Sequence, residues 1–291
     1  MDTISIKDIK DSIENEGYIE EQKSIIEFEK QGYFSSGNYA FEDQDQKISR
    51  EVDIIASKYT EFFDENAFFA QLSYAEVKKR TNPIIFFERK CNQYESRDSL
   101  IPISATKTFF SNIDSKISLK YIINFETNHH QVNHDYISTQ FCEVYRNGKK
   151  IKAGHNSSYE SLILPLLKCV DAEIVNINKT ISLFDQNTKR FVFYLFQPII
   201  IISGPLYSYN LHDNSLTEKD YILYRRHHRS STVKRSLLID VVRKDSLSKY
   251  ISEKLSFTYN SIEKSFKGNL KTIIQNSIDD ETHFKENFAK L

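Results

Sequence analysis

The chain has 291 residues, a formal net charge of −1, 40% hydrophobic residues and 27% charged residues. This composition describes a folded chain with a sizeable core, in one large domain or two small ones, and it excludes a uniformly basic nucleic-acid binder. Any contact with nucleic acid must come from Lys and Arg gathered on one face. Three cysteines, Cys91, Cys142 and Cys169, share no metal-ligand spacing and leave one thiol unpaired, which fits a reducing, cytoplasmic setting.

The acidic start, MDTISIKDIKDSIENEGY, has no apolar core of the kind a signal peptide needs. Residues 19–31 place Ile19, Ile25, Ile26 and Phe28 on one side of a helix that Gly32 stops. Residues 33–42 alternate and carry aromatics, as a strand does, and the polar run at 42–47 reads as a turn. Strands are expected at 48–56 and 71–78, joined through a turn at 64–66 and therefore antiparallel. A short strand is expected at 82–89. Residues 92–155 are polar and irregular and read as an insertion or subdomain within a single α/β domain. Residues 157–174 read as a helix that Pro165 kinks or breaks. FVFYLFQPIIII, at 191–202, is too short for a membrane span and suits one or two buried strands, with Ser203–Pro205 as a turn. Strands at 221–226 and 236–242 follow. A closing helix over 244–265 then carries Leu247, Ile251, Leu255 and Ile262, and its charged tail suggests a shorter helix.

Charged residues inside two of these strands require an explanation, because a charge at a sheet face is costly unless something uses it. Alternation puts Val52, Ile54 and Ala56 on one face of the first strand, and Glu51, Asp53 and Ile55 on the other. In the second, Leu72, Tyr74, Glu76 and Lys78 share a face. Once the strands pair, Asp53 and Glu76 can meet. Two adjacent carboxylates raise each other's pKa. A hard divalent cation, Mg²⁺ or Mn²⁺, relieves that conflict, with the Val77 carbonyl as a further ligand. Lys78 reaches the same place, where an ammonium can orient water or stabilise phosphate charge. The same charges would also suit a solvated edge strand with Lys78 paired to Glu76. The flanking Val, Ile and Ala argue instead for central strands.

The order REVDIIA followed by AEVK resembles the PD-(D/E)xK nuclease superfamily, of restriction-endonuclease-like fold, with Val52 standing where the motif has proline. The resemblance covers about residues 19–80. It implies a central mixed sheet flanked by helices, with Asp53, Glu76 and Lys78 as catalytic residues. Asp53, Glu76 and Val77 are then the ligands of Mg²⁺ or Mn²⁺. A glutamate on the preceding helix completes the set, and spacing to the closing glycine matches Glu21, with Glu20 the second choice. The implied activity is metal-dependent endonucleolytic hydrolysis, of DNA rather than RNA, in defence or DNA processing, by a homodimer or with a partner protein. The alternative is a catalytically silent nuclease-like module that binds nucleic acid or assembles with other proteins.

Arg225, Arg226, Arg229, Lys234 and Arg235 form the densest basic run and suit a phosphate backbone, or equally a solvated hairpin. Lys78, Lys79, Arg80, Arg89 and Lys90 form a weaker cluster. His129, His130, His134 and Asp135 lack helical periodicity and read as a polar loop rather than a zinc site. Cys142 and Cys169 read as core residues, and Gly204 as structural. No phosphate-cradling glycine loop and no G-x-S-x-G motif occurs.

Overall fold

The structure is a computed structural model and describes residues 4–64, 66–92, 103–107, 131, 134–154, 159–188, 191–229 and 234–272. Two helices open the chain, α1 (Ile6–Glu16) and α2 (Tyr18–Lys30). The sequence reading missed α1, although its limits follow ordinary capping chemistry. The Ser5 side chain accepts the Asp8 amide, and Gly17 ends the helix at φ 91°. Strands β1 (Phe34–Glu42), β2 (Ser49–Phe62), β3 (Ala67–Lys79) and β4 (Ile84–Lys90) follow. Strands β2 and β3 are both longer than the alternation alone predicts. Within 92–155, β5 (Ile103–Lys107), β6 (Tyr136–Asn147) and β7 (Lys150–Gly154) belong to the central sheet.

Before Pro165 the chain makes a π-helical turn, Tyr159–Ile163, and then continues as α3 (Leu164–Thr188). Pro165 thus falls at the junction between the π turn and the α-helix, where the hydrogen-bond spacing changes, and the helical run continues through it rather than breaking. Next come β8 (Phe191–Ser203), β9 (Leu206–Asn210), β10 (Ser215–Glu218), β11 (Tyr221–Arg229) and β12 (Lys234–Arg243). The closing segment is a nearly continuous run of 3-10, α, π and α turns that includes α4 (Leu247–Tyr250) and α5 (Phe257–Phe266). Leu247, Ile251, Leu255 and Ile262 are all buried, as the helical spacing requires. Most of the expected tail helix lies outside the described residues.

Among the described residues these strands form one twelve-stranded mixed sheet, ordered β1-β2-β3-β8-β12-β11-β6-β4-β9-β10, with β5 beside β8 and β7 beside β6. Strands β3, β8 and β12 are parallel and lie at its centre. Helix α3 covers one face over Val52, Tyr74, Phe196, Ile200 and Ile239. Helices α2 and α4 cover the other over Ile54, Ala75, Ile199, Ile201 and Val242. The protein is therefore an α/β fold with a large mixed sheet flanked by helices.

Pro198 sits in the middle of β8, a position that a central strand normally refuses. One edge of β8 pairs with β3 throughout, while the other pairs with β5 up to Phe196 and with β12 from Ile199. Gln197 and Pro198 occupy the gap between these two partners, so the missing N–H removes no ladder bond. The Gln197 amide instead donates to the buried Asp240, which also accepts the Tyr221 and Tyr250 hydroxyls.

Candidate active site at the end of strands β2 and β3

The site begins with a distortion shared by β1 and β2. Gly37 pairs with Ile54 and Tyr39 with Val52, but Asn38 and Asp53 between them do not pair. Asn38 adopts φ 52°, and Gly37 lies against Ile25, whose Cδ1 would be 3.1 Å from any added Cβ. Both strands turn over at this point. Val52 and Tyr39 pack under α3, whereas Ile54 and Ala56 pack under α2. Regular alternation therefore fails here: Val52 shares its face with Ile55, not with Ile54 and Ala56.

The β2–β3 ladder also ends here, with Ile54 opposite Ala75 as its last pair. Asp53 is the next residue, and its Oδ2 takes the place of a ladder carbonyl by accepting the Val77 N–H at 2.7 Å. In an extended strand the N–H and C=O of one residue leave by the same edge. The Val77 carbonyl is thus turned toward the space that opens as the strands part.

Glu76 lies on the α3 face and is 2% exposed. Lys78 Nζ is 2.9 Å from Asp53 Oδ2 and 2.7 Å from Glu76 Oε2, so one ammonium holds both carboxylates. Burial pushes the Glu76 carboxyl up to about 8, with Lys78 opposing the shift and Asp53 reinforcing it. Burial works against the charge of Lys78, but Glu76 and Asp53 outweigh it and raise its pKa. The solvated-edge reading does not survive this placement, because β2 and β3 are both internal and Glu76 is buried.

Glu21, on the first turns of α2, joins the same electrostatic group. Its carboxyl is raised by burial and by the charge of Asp53, and lowered in part by Lys78. Glu20 turns instead to its own helix, pairing with Lys23 at 3.1 Å. The cluster sits near the carboxyl ends of the parallel strands β3, β8 and β12, the end at which open α/β sheets bind ligands. The neighbouring basic groups are tied to the scaffold: Lys79 donates to the Glu14 carbonyl and Arg80 to Ser161. Gly204 has the structural role expected of it. A Cβ there would lie 2.0 Å from the Arg80 carbonyl oxygen.

Two carboxylates and a backbone carbonyl make a donor set of hard oxygens that suits Mg²⁺ or Mn²⁺ supplemented by water. Among the described residues, no three His, Cys, Asp or Glu side chains are gathered into a complete cation site. His129 and His130 lie outside the described residues.

The basic run is not brought to this cluster. Through the ladders, Glu76 lies level with Ile200, Val241 and Ile222, whereas Arg229 is seven residues further along β11. At about 3.3 Å per residue this is roughly 23 Å along the strands and, three strands over, roughly 14 Å across, about 27 Å in all, on the hairpin that joins β11 to β12. Arg225 and Arg226 lie between, both half-buried; Lys234 and Arg235 oppose Arg229 and His228 in the backbone ladder, and their side chains lie outside the described residues. Sequence reasoning also missed the polar partners beneath α3. The hydroxyl of Tyr74 reaches Glu173 at 3.3 Å, and the Cys169 thiol is pushed up by burial and by Glu173 and Glu76. Those contacts depend on packing between distant segments, which no local pattern announces.

No protein-family model, no curated protein and no solved structure matches this chain. No helix among the described residues is long and apolar enough to cross a membrane.

Proposed function

We propose that the chain hydrolyses phosphodiester bonds on a restriction-endonuclease-like frame, with DNA as its substrate. One observation carries this reading: Asp53 and Glu76, from two internal strands, converge on the Lys78 ammonium beside the Val77 carbonyl. Burying this much charge in a sheet interior is costly, and a structural role alone gives it little return. Asp53, Glu76 and the Val77 carbonyl would hold Mg²⁺ or Mn²⁺. When bound, such an ion polarises the phosphate and makes a coordinated water more acidic.

The remaining work falls to the protein's own groups. The Val77 N–H fixes the Asp53 carboxylate, so this ligand is in position before anything binds. Lys78, once relieved of one carboxylate, directs its ammonium at the negative charge that grows on the phosphoryl oxygens. Glu21 orients a water from the α2 side. A second reading is favoured by the same ammonium: the triad of Asp53, Glu76 and Lys78 is already compensated internally, as in a silent module that binds nucleic acid or assembles without cutting.

Incubating the protein with plasmid DNA and with RNA, in Mg²⁺, Mn²⁺ or EDTA, separates the two readings. Cleavage is expected only with metal, and Glu76→Ala and Lys78→Ala are each expected to slow it by about 100-fold or more. Binding without cleavage under every metal would leave the silent module as the better reading.

A further inference from the structure

A second site lies three strands away on the α3 face. Strands β11 and β6 touch through a single ladder pair, Tyr224 with Ser138, so the sheet is nearly split there. Opposite this seam β6 carries a bulge. Phe87 pairs with Gln140 and Glu88 with Ser138, which leaves Thr139 as the extra residue. In a regular strand, neighbouring side chains point to opposite faces. Here Thr139, Gln140 and Phe141 all line one cleft of about 500 Å³, because the bulge re-aims them. The roof is the π-helical turn that presents Tyr159 and Glu160. A seam, a bulge and a π turn, each an irregularity that recurs at binding sites, therefore meet at one place.

The chemistry of the cleft is specific. Arg226 places its guanidinium 4.6 Å from the centroid of the Tyr159 ring, in a stacked cation–aromatic pair. Its Nε is buried and has no hydrogen-bond partner among the described residues. Tyr224 packs beside it and makes up the floor with Phe141. A guanidinium backed by an aromatic ring offers a planar stacking surface and a forked anion contact together. Thr139, Gln140 and the Glu160 carboxylate around it supply hydrogen-bonding groups suited to the edge of a base. The volume is in the range of sites for small organic ligands.

We infer that this cleft binds a single nucleotide, with the phosphate on Arg226, the base against the Arg226–Tyr159 stack, and the base edge at Gln140 and Glu160. The site is separate from the acidic cluster: Arg226 pairs with Leu237, four residues along from the level of Glu76. That is roughly 13 Å along and 14 Å across the sheet. The nucleotide comes either free or as one unstacked residue of a strand.

Calorimetric titration of the full chain tests this with the four deoxynucleoside monophosphates, inorganic phosphate, and a single-stranded oligonucleotide with and without one abasic position. Nucleotides are expected to bind about tenfold or more tightly than phosphate, with Arg226→Ala and Tyr159→Leu each weakening them about tenfold. Gln140→Glu, at an exposed position, removes the amide donor from the base edge and sets a second carboxylate beside Glu160, and is expected to weaken nucleotide binding similarly. Equal binding of mononucleotide and oligonucleotide identifies a free ligand; tighter binding of the oligonucleotide, lost at the abasic position, identifies a strand. Glu76→Gln is expected to bind nucleotides like the wild type, so this inference and the hydrolytic reading fail independently. Absence of binding by the wild type, phosphate binding as tightly as nucleotides, or a Gln140→Glu variant that binds normally would overturn it.

Discussion

Asp43 is fully buried yet charged, and it shows what a single residue contributes to this frame. Burial alone would raise its pKa, but Lys168 at 2.5 Å, Arg50 at 2.7 Å and the amides of Gln46 and Asp45 hold it well below the usual carboxylate range. It ties the β1–β2 turn to α3, across the face that covers Glu76. Because its folded pKa is depressed, its stabilisation is complete above the unfolded value of about 4 and is lost as pH falls toward the folded one. Asp43→Asn is expected to cost about 3 kcal/mol at neutral pH, since it leaves a buried cation unpaired. Urea unfolding at neutral and at acid pH should show the gap to wild type narrowing as the pH drops. The turn was legible as the polar run at 42–47, but its ion pairs to α3 had no signal in the sequence.

At the scale of the element, the candidate site depends on where β3 ends. The Arg80 amide donates to the Ser203 carbonyl at 2.9 Å, so β3 and β8 finish side by side. Gly204 is the residue that permits this approach. Gly204→Ala puts a methyl into the Arg80 carbonyl and must displace the strand that carries Glu76, Val77 and Lys78. A loss of about 1–3 kcal/mol is expected, of the kind seen when atoms are forced into a filled site. On the hydrolytic reading, cleavage should fall further than the unfolded fraction explains, which rate measurements well below the unfolding midpoint would check. Elements with strong local periodicity were legible in advance: α2, β1, β8 and the closing helix lie close to where the apolar spacing puts them. The extra length of β2 and β3 was not, because residues 57–62 and 67–70 owe their strand conformation to pairing with each other and with β8.

For the whole molecule, the separation of charge matters most. The acidic cluster stands near the carboxyl ends of the parallel strands, and the basic hairpin stands at their opposite ends. A duplex rises about 3.4 Å per base pair, so roughly eight base pairs are needed to span the two. On the hydrolytic reading, Arg229→Glu is therefore expected to raise KM for long duplexes and to leave KM unchanged for duplexes shorter than about eight base pairs. Steady-state kinetics on a series of duplex lengths would measure this. If short and long substrates suffer equally, the hairpin is not on the path of the nucleic acid.

The sequence by itself determined the α/β class, the sites of most helices and strands, and the residue types Asp53, Glu76 and Lys78, because periodicity and composition are local properties. Only the tertiary structure decided that β2 turns over at Asp53, that Lys78 joins both carboxylates, and that β5 and β12 share one edge of β8 around Pro198. It alone placed the basic hairpin away from the acidic cluster and opened the cleft at Arg226. Strand partners are chosen among edges brought together from anywhere in the chain, so side chains meet through a register that no single segment encodes.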